Sequence, residues 1–175
     1  MTCQQIVRAA IRAIPDFPKP GILFRDITPV MEDPAAFAAA VAGLEELLEG
    51  IEWNAMGAIE SRGFVFGAPI ALRAGRPLVL LRKQGKLPGR TLAAAYALEY
   101  GEAVLEMHLD SLEPGDRVVL IDDLLATGGT AAAAAALVKQ AGAEVAAFVF
   151  LVELDDLQGR GKLAALGPVF SLVNY

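Results

Sequence analysis

Two adjacent carboxylates, Asp122 and Asp123, follow a run of four apolar residues at positions 118–121. Such a run is typical of a strand that is buried on both faces. Because neighbouring side chains of a strand point to opposite faces, the two acids can share one ligand only where the strand ends. Carboxylates accept hydrogen bonds, so the pair is a poor partner for phosphate and suits two vicinal hydroxyls, such as those of a ribose.

A segment of small residues follows the acids and leads into the alanine-rich run Ala131–Ala136, which predicts a helix. Its backbone N–H groups, its two hydroxyls and the helix dipole together suit a terminal monophosphate. The segment consists of Ala126, Thr127, Gly128, Gly129 and Thr130. Taken with the acids, this order of groups predicts a site for a ribose 5-phosphate.

Other phosphate and nucleophile motifs do not fit the residue types of this chain. No lysine follows the glycines at 128 and 129, which excludes the loop of nucleoside triphosphatases. The dinucleotide fingerprint Gly-x-Gly-x-x-Gly and the Gly-x-Ser-x-Gly elbow are both absent from the sequence. A simple turn capped by Thr130 would explain one threonine but not two acids in an apolar strand.

Cations follow two further predicted strands. Ala55–Ile59 is followed by Glu60, Ser61 and Arg62, and the arginine can either bind an anion or pair with Glu60. The sequence alone leaves both roles open. Pro77–Leu81 is followed by residues 82–90, which hold four cations, two glycines and no acid. A charge run is usually a solvated face, but its place after a strand of an α/β sheet favours a mobile lid over an anionic substrate.

The segment Ile22–Ile27 places Phe24 beside Arg25. An aromatic face with neighbouring backbone groups can hold a flat heterocycle, but core packing is the commoner role of such a residue. From composition alone, we interpret Phe24 as a core residue.

The remaining patterns alternate between helix and strand. This alternation predicts a parallel sheet with helices on both faces, within a single domain that covers residues 1–175. The further predicted elements are helices at Gln4–Ile14, from Asp33 to about Leu48 and at Phe64–Ala74, an edge strand at Ala103–Asp110, strands at Glu144–Leu154 and Val169–Val173, and a loop at Gly159–Lys162.

Composition limits the partners and the compartment. The 175 residues carry a net charge of −6, which argues against a general nucleic-acid binder. No stretch is apolar enough to span a membrane, and the N-terminus has no secretory pattern. The single Cys3 permits no internal disulfide, and we expect a cytoplasmic protein.

Several motifs of the chain resemble those of one known family. The segment Ile-Asp-Asp-Leu-Leu-Ala-Thr-Gly-Gly-Thr at 121–130 resembles the phosphoribosyl-diphosphate motif of the type I phosphoribosyltransferases. The segments at 17–29, 60–69, 82–89 and 98–101 resemble the branch of that family that acts on adenine. The match runs from about Ile14 to Tyr175. It implies the type I phosphoribosyltransferase fold, with a small N-terminal hood at about 15–30 and a flexible lid loop at about 82–101.

The resemblance implies a purine-salvage reaction. The enzyme would transfer the 5-phosphoribosyl group from phosphoribosyl diphosphate (PRPP) to adenine, and it would release AMP and pyrophosphate. Mg²⁺ would arrive bound with PRPP, so no set of protein metal ligands is expected. The family is dimeric, and a homodimer is implied.

The resemblance also assigns the donor side of the site. Asp122 and Asp123 would hold the ribose hydroxyls, and residues 126–130 would hold the 5-phosphate. Ser61 and Arg62 would lie in a pyrophosphate loop with a cis peptide bond after Glu60.

On the lid and the hood, the resemblance implies the remaining roles. Leu23, Phe24 and Arg25 would cover adenine, with Phe24 stacking on the base, which reverses the core interpretation made from composition. Glu99 would be the catalytic glutamate near the base, with Tyr100 beside it. The cations that would face the pyrophosphate are Arg82, Lys83 and Lys86, and Arg82 would reach the site of a neighbouring subunit.

Two alternatives remain open from the sequence. The first is a relative that acts on guanine, xanthine or hypoxanthine, against which the hood segment argues. The second is a ligand-sensing regulator built on the same fold, which would carry an added DNA-binding domain. We expect 175 residues that one fold fully uses to leave no room for it.

Overall fold

The computed structural model describes residues 1–97 and 102–175. Within those residues, a seven-stranded sheet is accompanied by a separate two-stranded sheet. The strands are β1 Arg12–Pro15, β2 Leu23–Asp26, β3 Ala55–Ile59, β4 Leu78–Lys83, β5 Thr91–Ala97, β6 Glu102–His108, β7 Arg117–Leu125, β8 Glu144–Glu153 and β9 Val169–Asn174. The helices are α1 Cys3–Ala10, α2 Thr28–Glu32, α3 Pro34–Glu46, α4 Gly63–Ala74, α5 Gly129–Gln140 and α6 Gly159–Leu163, with a 3-10 turn at Asp155–Leu157.

The large sheet has the order β5-β6-β4-β3-β7-β8-β9. The five strands β4, β3, β7, β8 and β9 are parallel. Strand β6 is added antiparallel to β4 at one side, and β5 pairs antiparallel with β6. From β3 the chain continues to β4 on one side, whereas β7 continues to β8 on the other. The carboxyl ends of β3 and β7 therefore form the crevice in which open α/β sheets bind ligands.

Helices cover both faces of this sheet, as the sequence predicts. On β7, Val119 and Ile121 pack with helices α1, α3 and α4, whereas Val118 and Leu120 pack with α5 on the opposite face. All four side chains are at most 1% exposed. A continuous apolar run is what a strand with two covered faces requires.

The predicted start of α3 is confirmed. The Asp33 carboxylate accepts hydrogen bonds from the backbone N–H groups of Ala35 and Ala36, and Pro34 occupies the first turn. An acid followed by proline satisfies free N–H groups at a helix start and fixes the backbone there. The signal is local, so it can be read from the sequence.

The predicted helix Gln4–Ile14 was wrong in its last four residues. Helix α1 ends at Ala10, and Arg12–Pro15 instead pairs antiparallel with Leu23–Asp26. Arg12 forms an ion pair with Asp26 across these two strands. Ile11 and Ile14 satisfy a helical period, but pairing with a distant strand decides the conformation.

Two other local predictions also differ from the structure. The predicted edge strand is β6, which lies between β4 and β5, so β5 forms the edge. Strand β5 lies within the segment predicted as the lid loop. The loop predicted at Gly159–Lys162 is the short helix α6. Two of its five residues are glycines, which have a low helix propensity, so the sequence pattern did not predict a helix there.

In the described part of the chain, no helix is both long enough and apolar enough to cross a bilayer.

Candidate active site

An open cleft of about 400 Å³ lies at the carboxyl ends of β3, β4 and β7. It brings together residues that are far apart in the sequence, and six of the predicted site residues are among them. The lining residues are Glu60, Ser61, Arg62, Lys83, Tyr96, Asp122, Asp123, Leu124 and Thr130. Cations and carboxylates therefore face one space, as a ligand with both phosphates and hydroxyls requires.

The acid pair lies on β7, which pairs with β3 over only part of its length. Strand β7 does not end at the acids, as the sequence argument required, but continues to Leu125 beside β8. Its pairing with β3 ends earlier, at Ala58 and Ile121. Beyond that point β3 diverges, and the edge of β7 becomes accessible to the cleft. The missing neighbour, rather than the end of the strand, allows both carboxylates to line one space.

The two carboxylates have different environments. Asp123 is only 6% exposed, whereas Asp122 is half-buried and accepts a hydrogen bond of 2.8 Å from the backbone N–H of Asp123. Burial, followed by the charge of Asp123, raises the pKa of Asp122 well above its ordinary value. The free chain therefore carries an acid that is costly to ionise, as is common where a ligand is bound.

We expect Asp122→Asn to stabilise the free chain, and to do so more strongly as pH rises. The folded pKa of this carboxyl is raised, so its contribution to stability is fully present below the unfolded value of about 3.9. It is lost as pH rises toward the folded pKa, and asparagine removes that loss. The difference in melting temperature between variant and parent, measured from pH 5 to 8, should reach a few degrees, since about 1 kcal/mol shifts a chain of this size by roughly 2–4 °C. A gain that does not change with pH, or one that Asp110→Asn on an exposed turn reproduces, would contradict this.

Arg62 pairs with the second acid. Its Nε donates to Asp123 Oδ2 at 2.7 Å, and the arginine side chain stays 48% exposed. The sequence left open an anion-binding role or an ion pair with Glu60. The partner is instead Asp123, which lies 61 residues away in the sequence. The exposed part of the guanidinium still faces the cleft.

Glu60 is a cleft residue whose role the sequence argument missed. It accepts hydrogen bonds from the backbone N–H of Lys83 at 3.0 Å and from Arg82 Nε at 3.2 Å. Burial alone would raise the pKa of Glu60, but these donors and the nearby cations lower it. The carboxylate thus fixes the start of residues 82–90, the basic segment, relative to β3. The peptide bond from Glu60 to Ser61 is cis, as the resemblance implied.

A second, smaller cavity of about 80 Å³ adjoins the cleft through Asp122 and Thr130. It is formed by residues 124–131 with Asp122 and Phe150, and so contains the whole predicted phosphate segment. The volume is far below the roughly 300–1,000 Å³ of pockets for larger organic ligands, so it suits one small group. Gly128 precedes α5 with φ of 76°, which favours glycine.

Gly63 allows α4 to pack closely on β7. A Cβ at this position would lie 2.7 Å from the carbonyl oxygen of Ile121 and 3.2 Å from Asp122 Oδ1. Glycine is needed here because the start of α4 packs directly on β7, which brings Arg62 within reach of Asp123.

The predicted hood residues lie on β2, and the two cavities above are lined without them. Phe24 is half-buried and makes an edge contact with Phe17, with ring centroids 5.1 Å apart. The Arg25 guanidinium lies 3.8 Å from the centre of the Tyr175 ring, and Leu23 is 50% exposed. The backbone groups of β2 thus belong to a small hairpin that the Arg25–Tyr175 contact joins to the C-terminal strand.

The basic segment divides into two parts. Lys83 lines the cleft, whereas Arg82 is turned toward its own chain and donates to Glu60 and to the carbonyl oxygen of Lys86. Lys86 is exposed on the turn that follows β4. The predicted residues Glu99 and Tyr100 lie outside the described residues. Tyr96, on β5, lines the cleft and was not predicted, because its strand was not.

Comparison with known proteins adds to this geometry. A family model described as phosphoribosyl transferase domain matches residues 32–166. The chain is 53% identical to the adenine phosphoribosyltransferase of Homo sapiens over 174 residues, covering 98% of this chain and 96% of that one. The solved adenine phosphoribosyltransferase of Thermoanaerobacter pseudethanolicus superposes with a TM-score of 0.94 at 48% identity, over 98% and 99% of the two chains.

A third similar protein was solved with ligands. The adenine phosphoribosyltransferase of Saccharomyces cerevisiae, in complex with adenine and an imino-altritol bisphosphate, superposes with a TM-score of 0.91 at 40% identity. The alignment covers 97% of this chain and 98% of that one.

Proposed function

The chain belongs to the phosphoribosyltransferase family, within it to the adenine phosphoribosyltransferases, and we infer that it transfers the 5-phosphoribosyl group of PRPP to adenine. The products are AMP and pyrophosphate. The observation that carries this inference is the single cleft in which Arg62 and Lys83 face Asp122 and Asp123, next to a cavity of phosphate size.

The cleft can stabilise the charges that the reaction develops. As the bond between ribose C1 and pyrophosphate breaks, its electron pair leaves with the pyrophosphate, and the ribose becomes cation-like. We propose that Arg62 and Lys83 bind the leaving group, while the two aspartates hold the ribose hydroxyls and the phosphate segment holds the 5-phosphate. Fixed partners at both ends of PRPP keep C1 oriented toward the base.

We propose that the hood holds the base, with Phe24 against its face and the backbone of Leu23 and Arg25 at its edge. As adenine N9 bonds to C1, the base must lose a proton. Glu99 is the expected acceptor, from its match to the catalytic glutamate of the family. Closure of the lid would exclude water, which otherwise competes with adenine for C1.

We expect Glu99→Ala to lower kcat by about tenfold, the equivalent of a lost charged hydrogen bond of roughly 1.5 kcal/mol, with both KM values largely kept. Glu102→Ala, at an exposed position on β6, provides the matched control. Steady-state kinetics with each substrate varied in turn decide the matter, and an unchanged kcat would remove Glu99 from catalysis.

Mg²⁺ is proposed as a partner of PRPP. In the described residues, no cluster of three or more histidine, cysteine or acidic side chains is placed to hold a metal ion. Mg²⁺ typically binds substrate phosphates, so we propose that PRPP holds the ion while Asp122 and Asp123 remain partners of the ribose hydroxyls. When bound, the ion would add positive charge near the leaving group.

The decisive experiment supplies PRPP with adenine, guanine, hypoxanthine or xanthine and measures the nucleotide formed, with Mg²⁺ and with EDTA. We expect AMP from adenine, with little product from the other bases. Turnover of guanine but not adenine would overturn the assigned base, and undiminished turnover in EDTA would overturn the Mg²⁺ proposal. Binding of PRPP without turnover of any base would favour a ligand-sensing protein.

We also propose a cytoplasmic location, supported by the absence of any possible internal disulfide with the single Cys3.

We propose a homodimer as well, and exposed apolar side chains support it. On α4, Val65 and Leu72 are 37% and 82% exposed, and Leu80 on β4 is 37% exposed. Val65 and Leu72 lie seven residues apart and therefore share one side of α4, turned away from the sheet. Leu80 lies two residues before Arg82 on β4, so a second copy that covered Leu80 would lie close to Arg82.

We expect Leu72→Glu to convert the dimer to a monomer, because a buried, unpaired carboxylate is costly. Light scattering coupled to size exclusion should give twice the chain mass of 18.4 kDa for the parent and a single mass for the variant. Leu166→Glu, an equally drastic change at a residue 44% exposed elsewhere, should stay dimeric. A parent that is monomeric would contradict the proposal.

A further inference from the structure

Gly159 lies directly behind the phosphate segment. It is buried at the start of α6, and its carbonyl oxygen is 2.8 Å from where a Cβ of Gly128 would lie. A Cβ at Gly159 would collide with the carbonyl oxygen of Ala126, and would lie 3.0 Å from the backbone nitrogen of Gly128. Two glycines thus pack backbone against backbone, with no room for a side chain on either.

The neighbouring residue fixes Gly159 in this position. The Arg160 guanidinium forms a two-pronged pair with Glu153, with Nε 2.9 Å from Oε1 and Nη2 2.5 Å from Oε2. Its Nη1 donates to the carbonyl oxygen of Val169. Glu153 ends β8, is 3% exposed, and accepts a further hydrogen bond of 2.6 Å from Ser171 Oγ. Such a fork on a buried carboxylate favours one orientation of α6 relative to β8 and β9.

The charge state of this pair does not change near neutral pH. Burial alone would raise the pKa of Glu153, but hydrogen bonds from Arg160, Ser171 and Asn174 lower it. The same strand end is joined to the strand of the acids, because the N–H of Leu154 donates to the carbonyl oxygen of Leu125 at 2.9 Å. Leu125 immediately precedes the phosphate segment, so both sides of the contact have fixed anchors.

We propose that Gly159, fixed by the Glu153–Arg160 pair, is a positioning residue that sets the backbone of Ala126–Gly128 for the 5-phosphate. The inference rests on the proposed function of that segment. Gly159 does not touch the ligand. It acts by supporting the loop from behind, so that the backbone of the phosphate segment keeps its place around the small cavity.

The test compares two glycines of one helix. Gly159→Ala must displace the loop, whereas a Cβ at Gly161 meets nothing within 4 Å. Titration calorimetry with ribose 5-phosphate and with pyrophosphate measures the two ends of the donor site separately and needs no turnover. We expect Gly159→Ala to weaken ribose 5-phosphate binding by about tenfold to a hundredfold, in line with the usual cost of overpacking, and to leave pyrophosphate binding unchanged. Gly161→Ala should match the parent in both titrations.

In kinetics, KM for PRPP should rise in Gly159→Ala while KM for adenine is kept. Equal ribose 5-phosphate affinities for Gly159→Ala and Gly161→Ala would overturn the inference, as would an equal loss for both ligands. If Gly159→Ala does not fold, Arg160→Lys keeps the charge but loses the fork, and it should show the same selectivity at smaller size. Unchanged ribose 5-phosphate binding in Arg160→Lys would then overturn it. If the parent itself forms no AMP, the proposed function fails, whatever the glycine variants show.

Discussion

Arg62→Ala is expected to lower kcat for AMP formation by about 100- to 1,000-fold, the usual effect of removing one preorganised donor from a developing anion. Arg62 lies just before α4, and about half of its side chain is exposed toward the cleft. Its planar guanidinium can follow the charge that accumulates on the departing pyrophosphate, which a neutral methyl group cannot do. Steady-state kinetics at saturating adenine and PRPP measure the effect.

The matched control is Arg73→Ala, on the helix that Arg62 precedes. Arg73 is 61% exposed on its side chain, and its Nε lies 3.1 Å from Glu45 Oε1, outside the cleft. An exposed pair of this kind contributes little, so kcat should stay within about twofold of the parent. Because Arg62→Ala leaves the buried Asp123 without its cation, melting temperatures must be compared as well. A loss of kcat no larger than that of Arg73→Ala would remove Arg62 from the reaction.

Asp123→Asn is expected to raise KM for PRPP by about 100-fold while KM for adenine stays within about twofold. An amide has only one acceptor oxygen and no charge, and a hydrogen bond to a charged group contributes about 1.5–3 kcal/mol. Losing such bonds to the ribose hydroxyls affects only the donor substrate, since the base is proposed to bind the hood. Kinetics with PRPP and adenine varied separately test this split.

The control for Asp123→Asn is Asp110→Asn, the same chemical change at an exposed position. It should leave both KM values as they are. Equal losses for PRPP and adenine in Asp123→Asn would refute the ribose assignment. They would indicate instead that Asp123 acts through the general order of the cleft.

Local patterns allowed much of the sheet to be predicted. The run at 118–121 predicts a doubly covered strand because every one of its side chains must leave water. Asp33 and Pro34 predict a helix start because capping depends on a few adjacent residues. The acids and the phosphate segment of the candidate site are close together in the sequence, so their proximity could also be predicted.

Features that depend on contacts between distant residues could not be predicted from the sequence. Nothing near Arg62 indicates that its partner is Asp123, which is brought beside it only when Gly63 lets α4 pack on β7. Strand β1 was predicted as helix because its partner lies beyond a turn rich in proline. Gly159 carries no motif, and its importance becomes visible only when the backbone of Ala126 is found against it.

The ion pair between Arg62 and Asp123 has a consequence for how the two ends of PRPP bind. These two residues hold each other at 2.7 Å. In the proposed roles, a ligand with only a pyrophosphate would compete for Arg62 alone, and one with only a ribose for Asp123 alone. PRPP would supply a partner to both residues at once. We therefore expect the two halves of the donor to be thermodynamically coupled, so that PRPP binds more tightly than the affinities of its separated parts imply.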